Sequence, residues 1–159
     1  QFGPGLNPTE WTQIGGDRGD PVENGDLQTW DTTGLSGLYS VQLLVVKTDQ
    51  TFELATVQVT VDNAPPTVKL ITPAPDQQFT LGADESVIIQ PDAADNLSLA
   101  FVEIYVDGRK VNTSTVAPFT YRWPLRGAGA GLHTVYARAV DAAGNAAESE
   151  RVAIRVAEK

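Results

Sequence analysis

The sequence predicts an all-β chain built as two tandem antiparallel sandwiches, the first lacking its N-terminal strands. Three observations lead there. Landmarks recur at a near-constant spacing: Gly37-Leu38-Tyr39-Ser40-Val41 reads against Gly131-Leu132-His133-Thr134-Val135, and 131 − 37 gives an offset of 94. Trp30 and Trp123 stand upstream of each at an offset of 93, and Val57–Val61 matches Val152–Val156 at 95. Such a repeat marks homologous modules in series. Second, apolar residues alternate with polar ones at a period of two, with Gly and Pro at short intervals, which is strand and turn patterning with no helical stretch. Third, the copies are unequal. Pro66 precedes Trp123 by 57 residues whereas only 29 precede Trp30, so about 30 residues, two or three strands' worth, are expected ahead of Gln1.

In the first module, Thr9–Ile14, Leu27–Asp31, Leu38–Lys47 and Phe52–Asp62 read as its later strands, and Gly15–Asn24 is a polar Gly/Asp loop. A sandwich without its opening strands exposes a sheet edge and part of a core, which missing native sequence, a strand from a neighbouring molecule or swapping would cover. Asp62-Asn63-Ala64-Pro65-Pro66 is the linker, restricted by its prolines to extended geometry. Boundaries at 1–63 and 64–159 follow.

The second module opens with strands at Val68–Ile71 and Ser86–Gln90. From Ala100 to Val106, residues Val102, Ile104 and Val106 point one way and Phe101, Glu103 and Tyr105 the other. Asp107-Gly108 suits a tight hairpin turn. Phe119, Tyr121 and Trp123 alternate again, Leu132–Val140 is the next strand, Asp141–Asn145 a turn, and Val152–Val156 the last strand. About seven short strands with turns between them indicate an antiparallel sandwich of immunoglobulin or fibronectin type, with a buried tryptophan in each module.

Composition narrows the function. Hydrophobic content of 42% with 19% charged residues is that of a folded globular chain. A net charge of −9 disfavours nucleic acid and anionic membrane surfaces, which need clustered Lys and Arg, and suits divalent cations. No apolar run approaches the ~20 residues of a helical membrane span, so no membrane insertion is expected of this sequence. Without Cys or Met there are no disulfides, thiolate metal sites or principal oxidation targets, as suits an exposed location.

With the strands laid out, the chain resembles bacterial immunoglobulin-like repeats. The resemblance rests on Asp95-Asn96, Val102–Gly108, Pro118-Phe119-Thr120-Tyr121-Arg122-Trp123 and Ala139-Val140-Asp141-Ala142-Ala143-Gly144-Asn145. It implies a stalk or appended module of a surface or secreted bacterial protein. Gly3–Trp11 and Trp30–Leu35 are similar to extracytoplasmic segments that follow the transpeptidase domain of some class A penicillin-binding proteins. The transpeptidase motifs S-x-x-K, S-x-N and K-T-G do not occur, so no catalytic residue carries over.

Several residues suggest chemistry, each beside an ordinary alternative. His133, the only histidine, is a general base or, more simply, part of a strand face. Asp92 and Asp95 as a glycosidase pair would need a cleft. For calcium, the module entry and two inter-strand loops at one pole would gather Asp62, Asn63, Asp92, Asp95, Asn96, Asp141 and Asn145, the hard oxygen ligands that Ca2+ takes. Asp62-Asn63-Ala64-Pro65 also looks like the calcium-binding interdomain linkers of cadherins. The same residues are common turn formers. Arg18-Gly19-Asp20 spells an integrin-type triplet of a kind that arises by chance in a Gly/Asp/Arg loop, and two Asn sequons, at Asn96 and Asn112, bear only on eukaryotic secretion. Aromatic residues could offer a sugar-stacking face, with Trp11 near a loop as the surface candidate, but most alternate on strands as core residues do.

The expected role is non-catalytic: an extracytoplasmic spacer or docking unit attached to a cell-wall enzyme or surface protein, its partners the other domains of that parent. The alternatives are a module that binds peptidoglycan or a surface glycan, and an assembly subunit completed by a donated strand.

Overall fold

A computed structural model describes the whole chain, Gln1–Lys159. It is all-β and divides into two compact units, Gln1–Asn63 and Ala64–Lys159.

The second unit is the fuller one. Its strands are β4 (Thr67–Thr72), β5 (Gln78–Thr80), β6 (Ser86–Ala94), β7 (Leu99–Val106), β8 (Arg109–Ser114), β9 (Tyr121–Pro124), β10 (Gly131–Asp141), β11 (Ala146–Glu148) and β12 (Val152–Ala157). One sheet runs β5-β12-β10-β7-β8, with β11 also on β10, and the other runs β4-β6-β9. Every pairing is antiparallel except β5 on β12. Alternation decides what meets between the sheets: Val87 and Ile89 of β6, Ile104 and Val106 of β7, Val135 of β10, and Ile154 and Val156 of β12 form one buried cluster with Leu125. A smaller cluster joins Val102, Phe119, Ala137 and Ala139. Each fully buried aliphatic side chain contributes about 1.5–3 kcal/mol. The turn after β7 uses Asp107 (φ 51°) and Gly108 (φ 74°), two successive left-handed residues that close β7 onto β8. Strands β5, β8 and β11 add to those expected.

The first unit is a single sheet of three strands in the order β1-β2-β3: β1 (Phe2–Pro4), β2 (Gly37–Val46) and β3 (Phe52–Val61). Two expected strands do not form. Of Thr9–Ile14 only Thr12 pairs, in a single bridge to Phe2 with both N–H···O contacts at 2.8 Å. Leu27–Asp31 is irregular because side chains satisfy part of the local backbone. Arg18 donates to the Asp26 and Leu27 carbonyls, and Gln28 reaches across to the Gly16 carbonyl. Trp30 instead anchors this loop on the sheet, with its ring 4.8 Å from Phe2 and 5.9 Å from Tyr39. Gly3 lets the chain cross over β1, since a side chain there would collide with Pro8 and the Glu10 carbonyl.

The repeat holds at the level of hydrogen-bond register. Gly37 pairs Val61, Tyr39 pairs Val59 and Val41 pairs Val57. In the second unit Gly131 pairs Val156, His133 pairs Ile154 and Val135 pairs Val152, so β2–β3 and β10–β12 are the same ladder written twice. Their surroundings differ. Val135, Ala137 and Ala139 are fully buried, whereas Val45 and Leu43, which lie at the positions of Ala139 and Ala137, are 44% and 42% exposed and Val57 is 54% exposed. The first unit therefore leaves bare the face that the second unit covers with an opposing sheet.

This contrast predicts unequal costs for one kind of truncation. Ile104→Ala is expected to lose about 2–5 kcal/mol of the second unit's stability, and Leu43→Ala in this chain about 1 kcal/mol or less. Urea unfolding of both variants checks it, and equal losses would contradict the difference in packing.

Candidate functional site

The polar residues of interest collect where the β6–β7 and β10–β11 connections meet. The Ala142 N–H donates to the Ser98 carbonyl at 2.9 Å and ties the two turns together. Asp141, only 1% exposed, organises the second turn: Oδ1 accepts from the Ala143 and Asn145 N–H groups at 2.9 and 2.8 Å, and Oδ2 accepts from the Asn145 side-chain amide at 2.7 Å. Burial opposes the charge, but these bonds together outweigh it and hold the Asp141 carboxyl below the usual carboxylate range. Asp95 builds the first turn, with Oδ2 accepting from the Leu97 and Ser98 N–H groups at 2.8 Å each. Its Oδ1 is sealed from solvent with no hydrogen-bond partner. Carboxylate oxygens of Asp95 and Asp141 approach within 4.8 Å.

Of the other residues expected at a cation site, Asp92 and Asn63 are engaged elsewhere. Asp92 is on the outward face of β6, 3.4 Å from Lys69 on the neighbouring strand. It is inside the strand, so its direction is fixed by the pleat and not by the loop. The Asn63 amide donates to the Thr32 and Leu35 carbonyls and fastens a loop of the first unit. Asp62 follows Val61 at the end of β3, and Asn96 is exposed in the turn after Asp95. Asn145 presents its amide nitrogen to Asp141. The pole of the second unit thus brings together Asp95, Asp141 and Asn145, and not Asp92.

His133 sits at the rim of the core. Its Nδ1 is 2.7 Å from Asp107 Oδ2 and its Nε2 is 2.8 Å from the Gly129 carbonyl. Both partners are acceptors, so the arrangement is satisfied in full only when both ring nitrogens carry protons. Burial favours the neutral ring, but the Asp107 and Gly129 contacts prevail and raise the His133 pKa. Burial likewise works against the charge on Asp107, and His133 with the Thr134 N–H overcomes it and lowers the Asp107 pKa. The Trp123 ring meets His133 edge-on at 5.0 Å, as Trp30 meets Tyr39 in the first unit.

A buried acid that the sequence did not single out lies on the outer face of the larger sheet. Glu103, 6% exposed, accepts from Lys110 (2.9 Å), Tyr105 (3.0 Å) and Arg138 (3.1 Å). Its burial raises its pKa, and the three donors bring it below the ordinary value. Alternation had placed Glu103 on that face, and its cross-strand neighbour Arg138 was the available signal. Beside it Tyr105 stacks on Tyr136 at 4.7 Å, with Arg151 over the Tyr136 ring at 4.4 Å. The aromatic residues therefore pack largely with one another or with charged neighbours, while Trp11 is half-buried beside the Phe2–Thr12 bridge. Arg18 of the Arg-Gly-Asp triplet is engaged in its own loop.

Comparison with known proteins agrees with this architecture. The bacterial Ig domain family matches residues 66–137, a span that lies within the second unit. The second unit is an immunoglobulin-like β-sandwich. Among solved structures, the fibronectin(III)-like modules of Clostridium thermocellum CbhA share 24% identity at a TM-score of 0.52, over 57% of this chain and 96% of that one. The endo-beta-1,4-mannanase from Thermotoga petrophila aligns at 11% identity and a TM-score of 0.49, over 62% of this chain and 21% of its own. The likeness to the fibronectin(III)-like modules is one of fold. No curated protein sequence matches the chain.

The His133–Asp107 pair predicts a pH dependence of definite sign. A histidine whose folded pKa is raised above 6.5 contributes its stability in full below that value and loses it as pH rises through the folded pKa. Asp107, lowered from 3.8, contributes above that value and loses it as pH falls through its folded pKa. The second unit should therefore have a higher thermal midpoint near pH ~5.5 than near pH ~8.5, and His133→Gln should shrink that difference. An unchanged difference in the variant would contradict the pairing.

Proposed function

We propose that the chain is a non-catalytic immunoglobulin-like segment of a bacterial extracytoplasmic protein, a spacer or docking unit that carries a cell-wall enzyme or adhesive domain. The observation that carries this reading is how the ionisable side chains with chemical potential are used. Asp141 closes a turn, His133 and Asp107 lock the end of β7 to β10, and Glu103 clamps Lys110 and Arg138 across three strands. Each is employed in holding strands and turns together. The bacterial Ig domain match and the resemblance of the first unit to segments beside cell-wall transpeptidases point the same way. The test is incubation of the purified chain with insoluble peptidoglycan and with a panel of chromogenic glycosides. Neither retention nor turnover is expected. Saturable retention lost in Trp11→Ala would replace this reading with glycan binding.

A second reading, calcium binding at the pole of the second unit, is favoured by Asp95 Oδ1. A sealed, unpartnered carboxylate oxygen close to a second buried carboxylate is an arrangement that a hard cation would relieve. Extracellular calcium modules bind with Kd of about 10⁻⁴–10⁻³ M. Calcium at tenfold above Kd should stabilise the chelator-treated chain by about 1.4 kcal/mol, seen as a raised thermal midpoint. Asp95→Asn should abolish the rise. A midpoint unmoved by calcium, or moved equally in the variant, excludes this site.

A further inference from the structure

The first unit carries a bare apolar sheet face and a free strand edge, and the second unit shows what such a ladder is covered by. β1 occupies the place of β7. Phe2 pairs Val41 as Val106 pairs Val135, and 135 − 41 is the repeat offset of 94. By register Phe2 stands for Val106 and Gln1 for Tyr105. β1 also has a neighbour on its far side, the Phe2–Thr12 bridge, where β7 has β8. The chain enters this ladder already paired: the Gln42 N–H donates to the Gln1 carbonyl at 2.8 Å, and the Gln1 amine donates to the Gln42 carbonyl at 3.0 Å. Antiparallel β1 is thus directed along the unpaired edge of Leu43–Val46. In the second unit the corresponding edge, Ala137–Val140, is filled by Phe101–Ile104 of β7.

We propose that this edge and face are the seat of the polypeptide immediately preceding Gln1, which continues β1 alongside Leu43–Val46 and supplies the opposing strands of a sandwich like the second unit. The register fixes its pattern. The first residue before Gln1 takes the place of Ile104 and lies against Leu43, and the third takes the place of Val102 and lies against Val45, so both are apolar. It also fixes the length. Residues 66–104 precede the counterpart of Gln1 in the second unit, and 105 − 66 gives 39 residues, more than spacing to the tryptophans indicates. The difference lies in the Gly15–Asn24 loop: Phe2 to Trp30 spans 28 positions and Val106 to Trp123 spans 17. The occupant is an extension of the same chain and not a second copy, because the segment that reaches the edge is already hydrogen-bonded into the ladder and headed along it.

Hydrogen exchange distinguishes the sources. In an antiparallel ladder every second residue bonds to a given neighbour. Gln42 bonds to Gln1, and Lys47 to Thr51 on the β3 side, so the amides of Leu44 and Val46 face the open edge. Exchange is measured in the 159-residue chain and in the same chain carrying the ~40 preceding residues that the proposal requires. Leu44 and Val46 should exchange rapidly in the shorter chain and about 100-fold or more slowly in the longer one. Leu43→Asp should abolish that gain in the longer chain and leave the shorter one unchanged. The proposal is overturned if Leu44 and Val46 exchange equally fast in both, or are already slow in the shorter chain. It is also overturned if their protection disappears on dilution, which assigns the strand to a second copy, or if the native polypeptide starts at Gln1.

Discussion

The structure depends on one constraint: a two-stranded ladder that is apolar on one face is stable only when that face is covered. The chain contains this ladder twice, as β2–β3 and as β10–β12, in the same register. In the second unit the face meets β6 and β9 across a core of Val87, Ile89, Val135, Ile154 and Val156, and nearly all solvent is removed from it. In the first unit Phe2, Trp30 and Tyr39 shelter only the end of the ladder near Val61, and the hairpin tip beyond Leu43 is open on both faces, with Phe52 and Leu54 65% and 53% exposed. Identical local pairing with different cover separates what the strand sequence dictates from what the neighbouring strands supply.

The polar chemistry is arranged around that apolar slab. Glu103 is turned to the outer face, where Lys110 and Arg138 reach it with their heads partly in water. Removing one partner of such a buried acid leaves desolvation uncompensated, which is why three donors converge on it. Asp141 and Asp95 are held at the turns, where backbone N–H groups point outward and need acceptors. His133 closes the slab at its rim, in the position Tyr39 holds in the first unit, and each packs on its tryptophan. A Trp with a planar partner at the mouth of the ladder is thus a feature of the repeat itself.

The long strands were legible because their alternation is strong: Val102, Ile104 and Val106 point inward in β7 as read, and the Asp107-Gly108 turn follows. Strands β5 and β11, of three residues each, fall below what periodicity can register, and β8, Arg-Lys-Val-Asn-Thr-Ser, is a polar edge whose only evidence is its partner. Thr9–Ile14 and Leu27–Asp31 carry strand-like residues, yet the first makes only the single Thr12–Phe2 bridge, and around the second the side chains of Arg18 and Gln28 serve the backbone in place of a ladder partner. At the candidate site the turn acids Asp95 and Asp141 were legible as members of one cluster of loop oxygens. Asp92 was not placed correctly, because β6 continues through Ala94 and turns its side chain to Lys69. The orphan oxygen of Asp95 and the burial of Glu103 arise from tertiary packing and have no local signature.

The central claim is that one ladder is covered and its copy is not, within a single chain. Residue-resolved amide signals followed through a urea titration of the 159-residue chain test it most directly. The account predicts that Val135–Ala139 and Val152–Val156 persist to clearly higher urea than Val41–Val45 and Val57–Val61. Simultaneous loss of both ladders, or earlier loss of the second, would contradict it.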